Sequence, residues 1–339
     1  MSKLLDDLLG GIDLTVDQAE DLVHQLTGGE VEPATAGAVL VALRAKGETP
    51  EEVRGFARAM KSLATDPAID VTGAVDVVGT GGDGSGSLNL STGSALVVAA
   101  SGVPVVKHGN RSMTSQSGSA DILEELGLPM PLNEDQARRL FKTTGFTFLF
   151  APHFHPAMAA VGPVRRALGV RTVFNILGPL TNPAAPRRMV IGAFDPASAR
   201  LMAGALSGLG IERVFVVHGA GGWDEPSPLG EFLLFDVTPG RVEETTRRPS
   251  DLGMSVCSRE DLAGGTPAHN ADRLLDVLNG EQSPHRDAIV LGAALALEVS
   301  GFAPGPPEAV ELAAATIDDG RALALTKALR EFGAQEAEH

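Results

Sequence analysis

A glycine-rich loop that follows a short apolar run is the first part of the sequence whose residue types suggest chemistry. Residues 75–78 read Val-Asp-Val-Val, and the next six residues contain four glycines. Glycines allow several backbone N–H groups to converge without obstruction by a Cβ atom, and a helix that begins near Ser91 would add its positive N-terminal end. The pattern predicts a binding site for a phosphate or diphosphate group.

The same loop carries side chains that suit a sugar and a metal ion. Hydroxyl, amide and carboxylate groups can bind a ribose and a hydrated Mg²⁺ beside a diphosphate. The residues concerned are Asp83, Ser87, Asn89, Ser91 and Thr92. The loop has neither the Gly-Lys-Ser/Thr ending of a P-loop nor a regular G-x-G-x-x-G pattern, so by itself it fits a structural turn as well as a phosphate site.

A second loop of similar design follows the next apolar run. Lys107 and Arg111 supply positive charge on either side of His-Gly-Asn, and Gly109 and Gly118 allow close approach of a ligand. Hydroxyl groups come from Ser112, Thr114, Ser115, Ser117 and Ser119. Most Lys and Arg side chains are only solvated, but their position after a strand favours an anion site.

The two loops together resemble the anthranilate phosphoribosyltransferase family. The family pattern is Gly-Thr-Gly-Gly-Asp, then Asn-x-Ser-Thr, then Lys-His-Gly-Asn-Arg, and these occur in order at residues 79–83, 89–92 and 107–111. The similarity continues through 155–158, 163–169 and 171–183 to the pair Asp224-Glu225, and covers roughly residues 39–301. Such an ordered set is far more specific than any single motif.

The resemblance implies Mg²⁺-dependent transfer of a phosphoribosyl group from phosphoribosyl pyrophosphate to anthranilate, with release of pyrophosphate, in tryptophan biosynthesis. It implies an α/β fold, a nucleoside phosphorylase-like phosphoribosyltransferase with a small helical domain and a large α/β domain. The expected helical domain spans residues 1–70 and is completed by a segment near 165–186, and the α/β domain comprises 71–164 and 187–339. A second copy of the chain is the expected protein partner.

The family's site residues carry over to matching positions of this sequence. His108 is given no more than an orienting or proton-accepting role toward the amine. The implied donor site comprises Gly79, Gly82, Asp83, Ser87, Asn89, Leu90, Ser91, Thr92, Lys107, His108, Gly109, Asn110, Arg111, Ser112, Met113, Thr114, Ser115 and Ser119. The implied anthranilate site comprises Gly79, His108, Asn110, Ala151, Pro152, His155, Arg165 and Gly178. The implied metal residues are Ser91, Asp224 and Glu225.

Several positions depart from the family pattern or fit a purely structural role. Residues 219–223, Gly-Ala-Gly-Gly-Trp, replace the usual Gly-x-Asp-Gly-Leu before the acidic pair. Without the resemblance, Asp224-Glu225 would fit a solvated turn. Ala159 stands where larger residues often occur, and Gly292 where Asn is frequent. These two differences concern acceptor specificity. His153 and His155 do not predict zinc, because no cysteine or third histidine lies nearby.

Charge and composition exclude several partners. The 339 residues carry a formal net charge of −16, which repels nucleic acid, and the aromatic content of 4% with no Tyr offers no stacking platform for bases. No apolar run approaches the roughly 18 residues of a membrane span. The first residues lack a secretory signal and Cys257 is the only cysteine, which agrees with a cytoplasmic location.

Periodicity and capping signals predict the elements that position these loops. Capping boxes at residues 15–18 and 49–52 predict N-terminal helices, and the apolar excess between Ala34 and Met60 predicts packing against a dimer partner. Beyond Ala74, strands alternate with helices as in a doubly wound sheet with ligands at the strands' carboxyl ends. The expected strands are Val75–Val78, Val103–Val106, Phe146–Phe150, Met189–Phe194, Val214–Val217 and Glu231–Val237. The expected helices include one beginning near Asn133, Ser198–Leu209 and a long Glu308–Phe332.

Three alternative functions stay open at this point. A nucleoside phosphorylase would share the glycine loop but should lack Lys-His-Gly-Asn-Arg followed by an acid receptor such as Arg165. A phosphoribosyltransferase acting on another aromatic amine would keep the donor site and alter the acceptor channel, which Ala159 favours. A noncatalytic nucleic-acid-binding relative should have a basic surface, and the net charge of −16 argues against it.

Overall fold

The computed structural model describes residues 1–112 and 116–337, which form seven β-strands and fifteen α-helices. Met113, Thr114 and Ser115, expected in the donor site, lie outside the described residues. The strands are β1 Val75–Gly79, β2 Val105–Gly109, β3 Phe146–Phe150, β4 Arg188–Gly192, β5 Arg213–His218, β6 Phe232–Thr238 and β7 Arg241–Arg247. The helices are α1 Ser2–Leu9, α2 Val16–Thr27, α3 Pro33–Lys46, α4 Pro50–Ser62, α5 Leu90–Ala100, α6 Ser119–Glu125, α7 Glu134–Thr144, α8 Ala151–Phe154, α9 Met158–Leu168, α10 Phe174–Leu177, α11 Pro196–Leu206, α12 Pro267–Leu278, α13 Pro284–Val299, α14 Pro306–Asp318 and α15 Arg321–Ala337.

The strands form one mixed sheet in the order β3-β2-β1-β4-β5-β6-β7. Strands β1 to β5 are parallel and β6 and β7 are antiparallel, which confirms the predicted α/β architecture. The strand order reverses between β1 and β4, and open α/β sheets bind ligands at such a point, beyond the carboxyl ends of the strands. Both predicted anion loops begin at this edge.

The structure differs from the sequence predictions at the C-terminal helices and at one edge of the sheet. The long helix expected over Glu308–Phe332 is two helices, α14 and α15, because Gly320 between them has a left-handed φ of 82°. Strand β7 was not predicted, since its sequence is polar and six of its seven residues are exposed at the sheet edge. Hydrogen bonding to β6 in a hairpin, rather than apolar burial, produces this strand.

The N-terminal helices α1 to α4 form a bundle fixed at its turns by capping. Thr15 Oγ1 accepts a hydrogen bond of 3.2 Å from the Gln18 N–H, and an equivalent capping box opens α4 at Thr49. The buried Glu52 carboxylate accepts the Leu14 N–H at 2.9 Å and the Lys46 Nζ at 3.0 Å. A single buried carboxylate therefore joins two turns of the bundle.

Two apolar cores lie on the two faces of the sheet. One contains the bundle α1 to α4 together with α9, α10 and α11, and the other contains α5 to α7 and α12 to α15. Helix α9 packs against α2 and α3, so the chain between 158 and 177 shares its core with the N-terminal helices. The domain bounds given above stay a prediction. Over the described ranges, no helix has both the length and the apolar character needed to cross a membrane.

Two buried glycines of the bundle should respond in opposite ways to alanine, because α2 and α4 cross closely at Gly55 while Gly37 on α3 has room for a methyl group. A Cβ atom at Gly55 would lie 2.2 Å from the Val16 carbonyl oxygen, whereas at Gly37 the nearest atom would be 3.5 Å away. Gly55→Ala should destabilise the fold by about 1–3 kcal/mol through overpacking. Gly37→Ala should be neutral or stabilising by up to about 1 kcal/mol, because alanine has the higher helix propensity. Thermal unfolding midpoints measure both, and equal shifts for the two variants would contradict the predicted crossing.

Candidate functional site

The acidic pair Asp224-Glu225 lies across the carboxyl ends of β1 and β4, close to their backbones. A Cβ atom on Gly192, the last residue of β4, would lie 1.4 Å from the Asp224 carbonyl oxygen. On Gly79, the last residue of β1, it would lie 2.3 Å from Asp224 Oδ2. Gly192 is therefore needed for the backbone of the acidic segment to pass, and Gly79 leaves room for the Asp224 carboxylate. Gly192 was missed from the sequence, although a glycine ending each of two neighbouring strands was a visible signal.

Trp223 anchors this acidic segment in the apolar core. Its side chain is only 1% exposed and belongs to the core on the α5 and α13 side of the sheet. The turn before it, residues 220–222, includes Gly221 and Gly222 with φ of 73° and 85°. The residues that depart from the family pattern thus form a tight turn followed by a buried aromatic anchor, and Asp224 is held next to it.

Four residues of the predicted site are joined by hydrogen bonds at the carboxyl ends of β1 and β4, namely Asp83, Ser91, Asp224 and Glu225. Asp224 Oδ2 accepts the Gly81 N–H at 2.6 Å, and the Asp224 N–H donates to Asp83 Oδ2 at 3.2 Å. Glu225 Oε1 accepts the Ser91 N–H at 2.9 Å in the first turn of α5. The glycine loop and the start of α5 are therefore tied to the acidic pair, although the chain separates them by more than a hundred residues.

Burial and like charge make this cluster electrostatically unfavourable by itself. Burial raises the pKa of Asp224 well above its usual range, and the neighbouring Glu225 and Asp83 charges raise it further. Burial also raises the pKa of Glu225 to about 7, which hydrogen bonding to Ser91 partly opposes. A divalent cation bound at the cluster would favour the charged carboxylates and so lower the pKa of both Asp224 and Glu225.

The donor set suits Mg²⁺ better than a metal enclosed by protein ligands. Within the described ranges, no group of three or more His, Cys, Asp or Glu side chains forms a ready metal cage. Mg²⁺ usually binds through one or two carboxylates, substrate phosphates and several waters, and it does not need such a cage. Asp83, Asp224 and Glu225, with the Ser91 hydroxyl beside them, fit that requirement.

Lys107 lies beneath the glycine loop rather than in solvent. Its side chain is 1% exposed, and Nζ contacts the Val77 carbonyl and lies 3.4 Å from Ser91 Oγ. Burial lowers its pKa, and the Asp76, Glu225 and Asp224 charges oppose that change. Lys107 therefore places positive charge directly behind the carboxylate cluster.

A buried carboxylate that sequence reasoning missed supports the next strand. Asp76 Oδ1 accepts the His108 N–H at 3.2 Å, and Oδ2 accepts Asn182 Nδ2 at 2.8 Å. Asn182 Nδ2 also donates to the Val106 carbonyl at 2.8 Å. Burial raises the pKa of Asp76 to about 6. A charged residue inside an otherwise apolar strand was the signal that could have revealed it.

His108 and His155 form a neutral pair beside the carboxyl end of β2. Their ring centroids are 5.2 Å apart, and His108 Nδ1 lies 3.1 Å from the Gly178 carbonyl oxygen. Burial lowers the pKa of His108 to about 3, with a further contribution from His155, and burial also lowers the pKa of His155. Ala151 and Pro152 begin α8 directly after β3, which pairs with β2. The structure brings these predicted acceptor residues to one edge.

Arg165 lies on α9 at the bundle side of this edge. Its guanidinium lies over the Phe174 ring, with Cζ 5.6 Å from the centroid, and burial lowers its pKa. Among the residues that the structure describes, no carboxylate forms an ion pair with it. A half-buried arginine in this state is suited to a carboxylate ligand.

The second loop is held by acids that the sequence reasoning did not anticipate. Arg111 Nη1 contacts Asp121 Oδ1 and Glu124 Oε2 of α6, each at 2.7 Å, and these hydrogen bonds raise its pKa. Asp121 Oδ2 also accepts the Gly118 N–H at 2.8 Å as part of a capping box. Arg111 is therefore paired with protein carboxylates in this structure. The Gly-Ser-Ala-Asp spacing before α6 was the signal for Asp121.

Asn89 connects the two predicted loops. Its Oδ1 accepts Ser117 Oγ at 3.1 Å and Asn270 Nδ2 of α12 at 2.9 Å, and its Nδ2 donates to the Ser117 carbonyl at 3.2 Å. Ser119 Oγ donates to the Asn110 carbonyl at 3.1 Å within the second loop. Asn270 lies far away in sequence and carries no motif, so the sequence did not reveal it.

The remaining predicted positions vary in exposure. Leu90 and Thr92 are buried in the first turn of α5, whereas Ser87 Oγ lies 3.2 Å from Ser85 Oγ in the loop. Gly292 belongs to the contact of α13 with α5, since a Cβ atom there would lie 2.4 Å from Ser94 Oγ. Ala159 is exposed on α9.

Comparisons with known proteins agree with this architecture. Residues 2–64 match a profile described as the glycosyl transferase family, helical bundle domain, and residues 71–323 match the glycosyl transferase family, a/b domain. The fold and the acidic crevice thus define a two-domain glycosyltransferase. Over 330 residues the chain is 46% identical to an anthranilate phosphoribosyltransferase from Desulforudis audaxviator, covering 97% of this chain and 95% of that protein. The chain belongs to the anthranilate phosphoribosyltransferase family.

Solved structures show the same relationship. The crystal structure of anthranilate phosphoribosyltransferase from Thermus thermophilus superposes with a TM-score of 0.92 at 41% identity, covering 97% of this chain and 99% of that chain. The Saccharomyces cerevisiae enzyme in complex with phosphoribosyl pyrophosphate and Mg gives a TM-score of 0.89 at 27% identity. The match covers 98% of this chain and 97% of that chain. The likeness therefore extends over both the bundle and the α/β region.

The contact of Gly79 with Asp224 predicts a metal-binding defect from a single methyl group. Gly79→Ala should displace the Asp224 carboxylate and weaken Mg²⁺ binding in the presence of pyrophosphate by about 10- to 100-fold, as expected when the support of a ligand is lost. Trp223 is the only tryptophan and the chain has no Tyr, so its fluorescence offers a direct titration signal.

Gly210→Ala is the matched control, because a Cβ atom there would meet nothing within 4 Å. It should titrate as the parent protein does. A Gly79→Ala protein that remains folded and binds Mg²⁺ with parental affinity would show that Asp224 is not a ligand.

Proposed function

We propose that this chain transfers the phosphoribosyl group of phosphoribosyl pyrophosphate to the amino nitrogen of anthranilate and releases pyrophosphate, with Mg²⁺ as cofactor, as a step of tryptophan biosynthesis. The observation that carries this is the meeting of Asp83, Asp224 and Glu225 at the strand ends beside the glycine loop. The family membership supports the same activity, and the relatives and solved structures compared above are anthranilate phosphoribosyltransferases rather than enzymes for another aromatic amine or nucleoside phosphorylases.

The donor side must bind a diphosphate and help it to leave. When bound, Mg²⁺ supplies charge that neutralises the departing diphosphate. We assign Ser91, Asp224 and Glu225, together with Asp83, to hold it. The N–H groups of the glycine loop and of the first turn of α5 face the same region, and Lys107 adds buried positive charge beneath them.

The acceptor side must bind an aromatic carboxylate and leave its amine neutral. We assign Arg165 to the carboxylate, because its guanidinium is half-buried, lies over an aromatic ring and is unpaired with any acid of the described chain. The buried imidazoles of His108 and His155 are neutral at physiological pH, so this wall of the site does not repel or protonate an amine. The charged donor side and the uncharged acceptor side are thus separated.

The reaction forms a bond from the amine nitrogen to the anomeric carbon and breaks the bond from that carbon to the diphosphate oxygen. An aromatic amine is already unprotonated at pH 7, so attack needs no strong base. With its Nδ1–H donating to the Gly178 carbonyl, His108 has an unprotonated Nε2. We assign that nitrogen to orient the amine and to accept the proton released as the new bond forms.

We propose that the chain works as a cytoplasmic homodimer. Leu9, Ile12 and Val41 of the N-terminal bundle are 69%, 56% and 42% exposed, which supports an apolar contact surface for a second copy. The single cysteine of the sequence fits a reducing compartment.

Sedimentation tests the homodimer directly. The parent protein should sediment as two chains at micromolar concentration, and Val41→Glu with Ile12→Glu should shift it toward one chain, because burying these charges is unfavourable. Val256→Glu is the matched control, since Val256 is exposed at 74% but lies outside the bundle. A strictly monomeric active parent over a wide concentration range would contradict the proposal.

A product assay with a panel of acceptors tests the activity and the role of Arg165 together. The parent should convert anthranilate in the presence of phosphoribosyl pyrophosphate and Mg²⁺. Arg165→Ala should lower kcat/KM for anthranilate by about 10- to 100-fold, since loss of one charged hydrogen-bonding partner costs about 1.5–3 kcal/mol. Calorimetric binding of the donor should change much less.

The acceptor panel decides between the specific assignments. For aniline, which lacks the ortho carboxylate, Arg165→Ala should change kcat/KM little. An equal loss for anthranilate and aniline would remove Arg165 from carboxylate recognition. A parent protein that phosphoribosylates another amine but not anthranilate would contradict the proposed substrate.

A further inference from the structure

Arg171 has no role in the site described above, yet it contacts three separate parts of the molecule. Its guanidinium stacks on the Phe194 ring just after β4, with Cζ 3.9 Å from the centroid, and its Nη2 donates to the Gly82 carbonyl. Its own carbonyl oxygen accepts a hydrogen bond of 2.7 Å from Arg44 Nη1 of α3. The helical bundle, the end of β4 and the glycine loop therefore meet at one residue, the bundle through its backbone and the other two through its side chain.

We propose that Arg171 is a positioning residue that couples acceptor binding at Arg165 to the conformation of the glycine loop on the donor side. This inference rests on the function proposed above. Arg171 acts on the reaction through Gly82 and touches neither reacting atom.

The glycine loop needs such a support. Gly81, Gly82, Gly84 and Gly86 all have left-handed φ values, between 61° and 70°. A chain with so many glycines loses much conformational entropy when it is fixed in one shape. Asp224 holds the loop from the sheet side through the Asp83 carboxylate, and Arg171 holds it from the bundle side through the adjacent Gly82 carbonyl. These contacts together set where the Asp83 carboxylate lies relative to Asp224.

Arg171 is also connected to the acceptor side. Helix α9, which carries Arg165, ends at Leu168, and Arg171 follows after the left-handed Gly169. The hydrogen bond from Arg44 ties this short segment to α3, against which α9 packs. A displacement of α9 when a carboxylate binds Arg165 would therefore reach the Gly82 carbonyl through only a few residues.

The stacking on Phe194 makes the connection specific for arginine. A guanidinium held 3.9 Å above a ring centroid and bonded to a carbonyl has a restricted orientation, so its N–H groups keep one direction toward the loop. A lysine ammonium keeps the charge but has no planar group to stack. By linkage, the effect must be reciprocal: donor binding strengthens acceptor binding by the same factor.

Calorimetry of a pair that cannot react measures the coupling. Pyrophosphate is titrated into the protein in Mg²⁺, with and without saturating anthranilate. In the parent, anthranilate should tighten pyrophosphate binding by about fivefold or more, within the usual range of coupling between sites. Arg171→Ala, Arg171→Lys and Phe194→Leu should each reduce that factor to about twofold or less.

Arg166→Ala is the matched control, because it removes an exposed arginine from the neighbouring helix α9 without touching the loop. It should retain parental coupling. Circular dichroism verifies folding, and if Arg171→Ala does not fold, Phe194→Leu decides the question.

The outcomes separate the two proposals. Parental coupling in Arg171→Ala or Phe194→Leu, or an equal loss in Arg166→Ala, would overturn the role of Arg171. A parent that forms product but shows no coupling would overturn it as well, and would leave the proposed function intact. A parent that binds neither pyrophosphate nor anthranilate would contradict the proposed function itself.

Discussion

The passage of an acidic segment over the ends of two parallel strands is the constraint on which the rest of the site depends. The Asp224 backbone can lie there because β4 ends in Gly192, and its carboxylate has room because β1 ends in Gly79. The segment comes from the far side of the strand-order reversal, and Trp223 anchors it in the core. Burial raises the pKa of both Asp224 and Glu225, and repulsion from the neighbouring carboxylates in these low-dielectric surroundings raises them further. The protein thus maintains an unfavourable charge arrangement that a divalent cation makes favourable.

That arrangement affects the layer beneath it. Lys107 and Asp76 are both buried on the neighbouring strands, and each charge partly offsets the burial of the other. Asp76 in turn accepts the His108 N–H and binds Asn182, whose segment follows the Gly178 carbonyl that contacts the His108 ring. The carboxylate cluster and the His108 side of the sheet edge are therefore connected through buried charges and hydrogen bonds inside the sheet.

Local signals in the sequence predicted the parts of the structure that depend on neighbouring residues. The capping boxes at Thr15 and Thr49 are present as predicted, and each expected strand overlaps an observed one, because these features are determined by residues a few positions apart. The family motifs also predicted that Ser91 would lie with the pair Asp224-Glu225, and the Ser91 N–H donates to Glu225. Contacts between distant segments were different: Asn270 of α12 donates a hydrogen bond to Asn89 Oδ1, and no motif in the sequence identifies that partner. The break at Gly320 was missed because the apolar pattern continues on both sides of it.

The separation of charge also determines how the site responds to pH. His108 has a folded pKa of about 3, far below the value of roughly 6.5 for an unfolded histidine. Below about pH 6.5 the unfolded chain therefore binds a proton that the folded chain does not, and the folded state loses stability as the pH falls. The His108 imidazole is thus neutral at neutral pH before the amine reacts. Protonation of Asp224 and Glu225 has the opposite effect on the stability of the folded state. Their pKa values are raised by folding, so these two groups favour the folded state as the pH falls. A bound cation would favour their charged forms, so metal binding and proton release at this edge of the sheet are one coupled process.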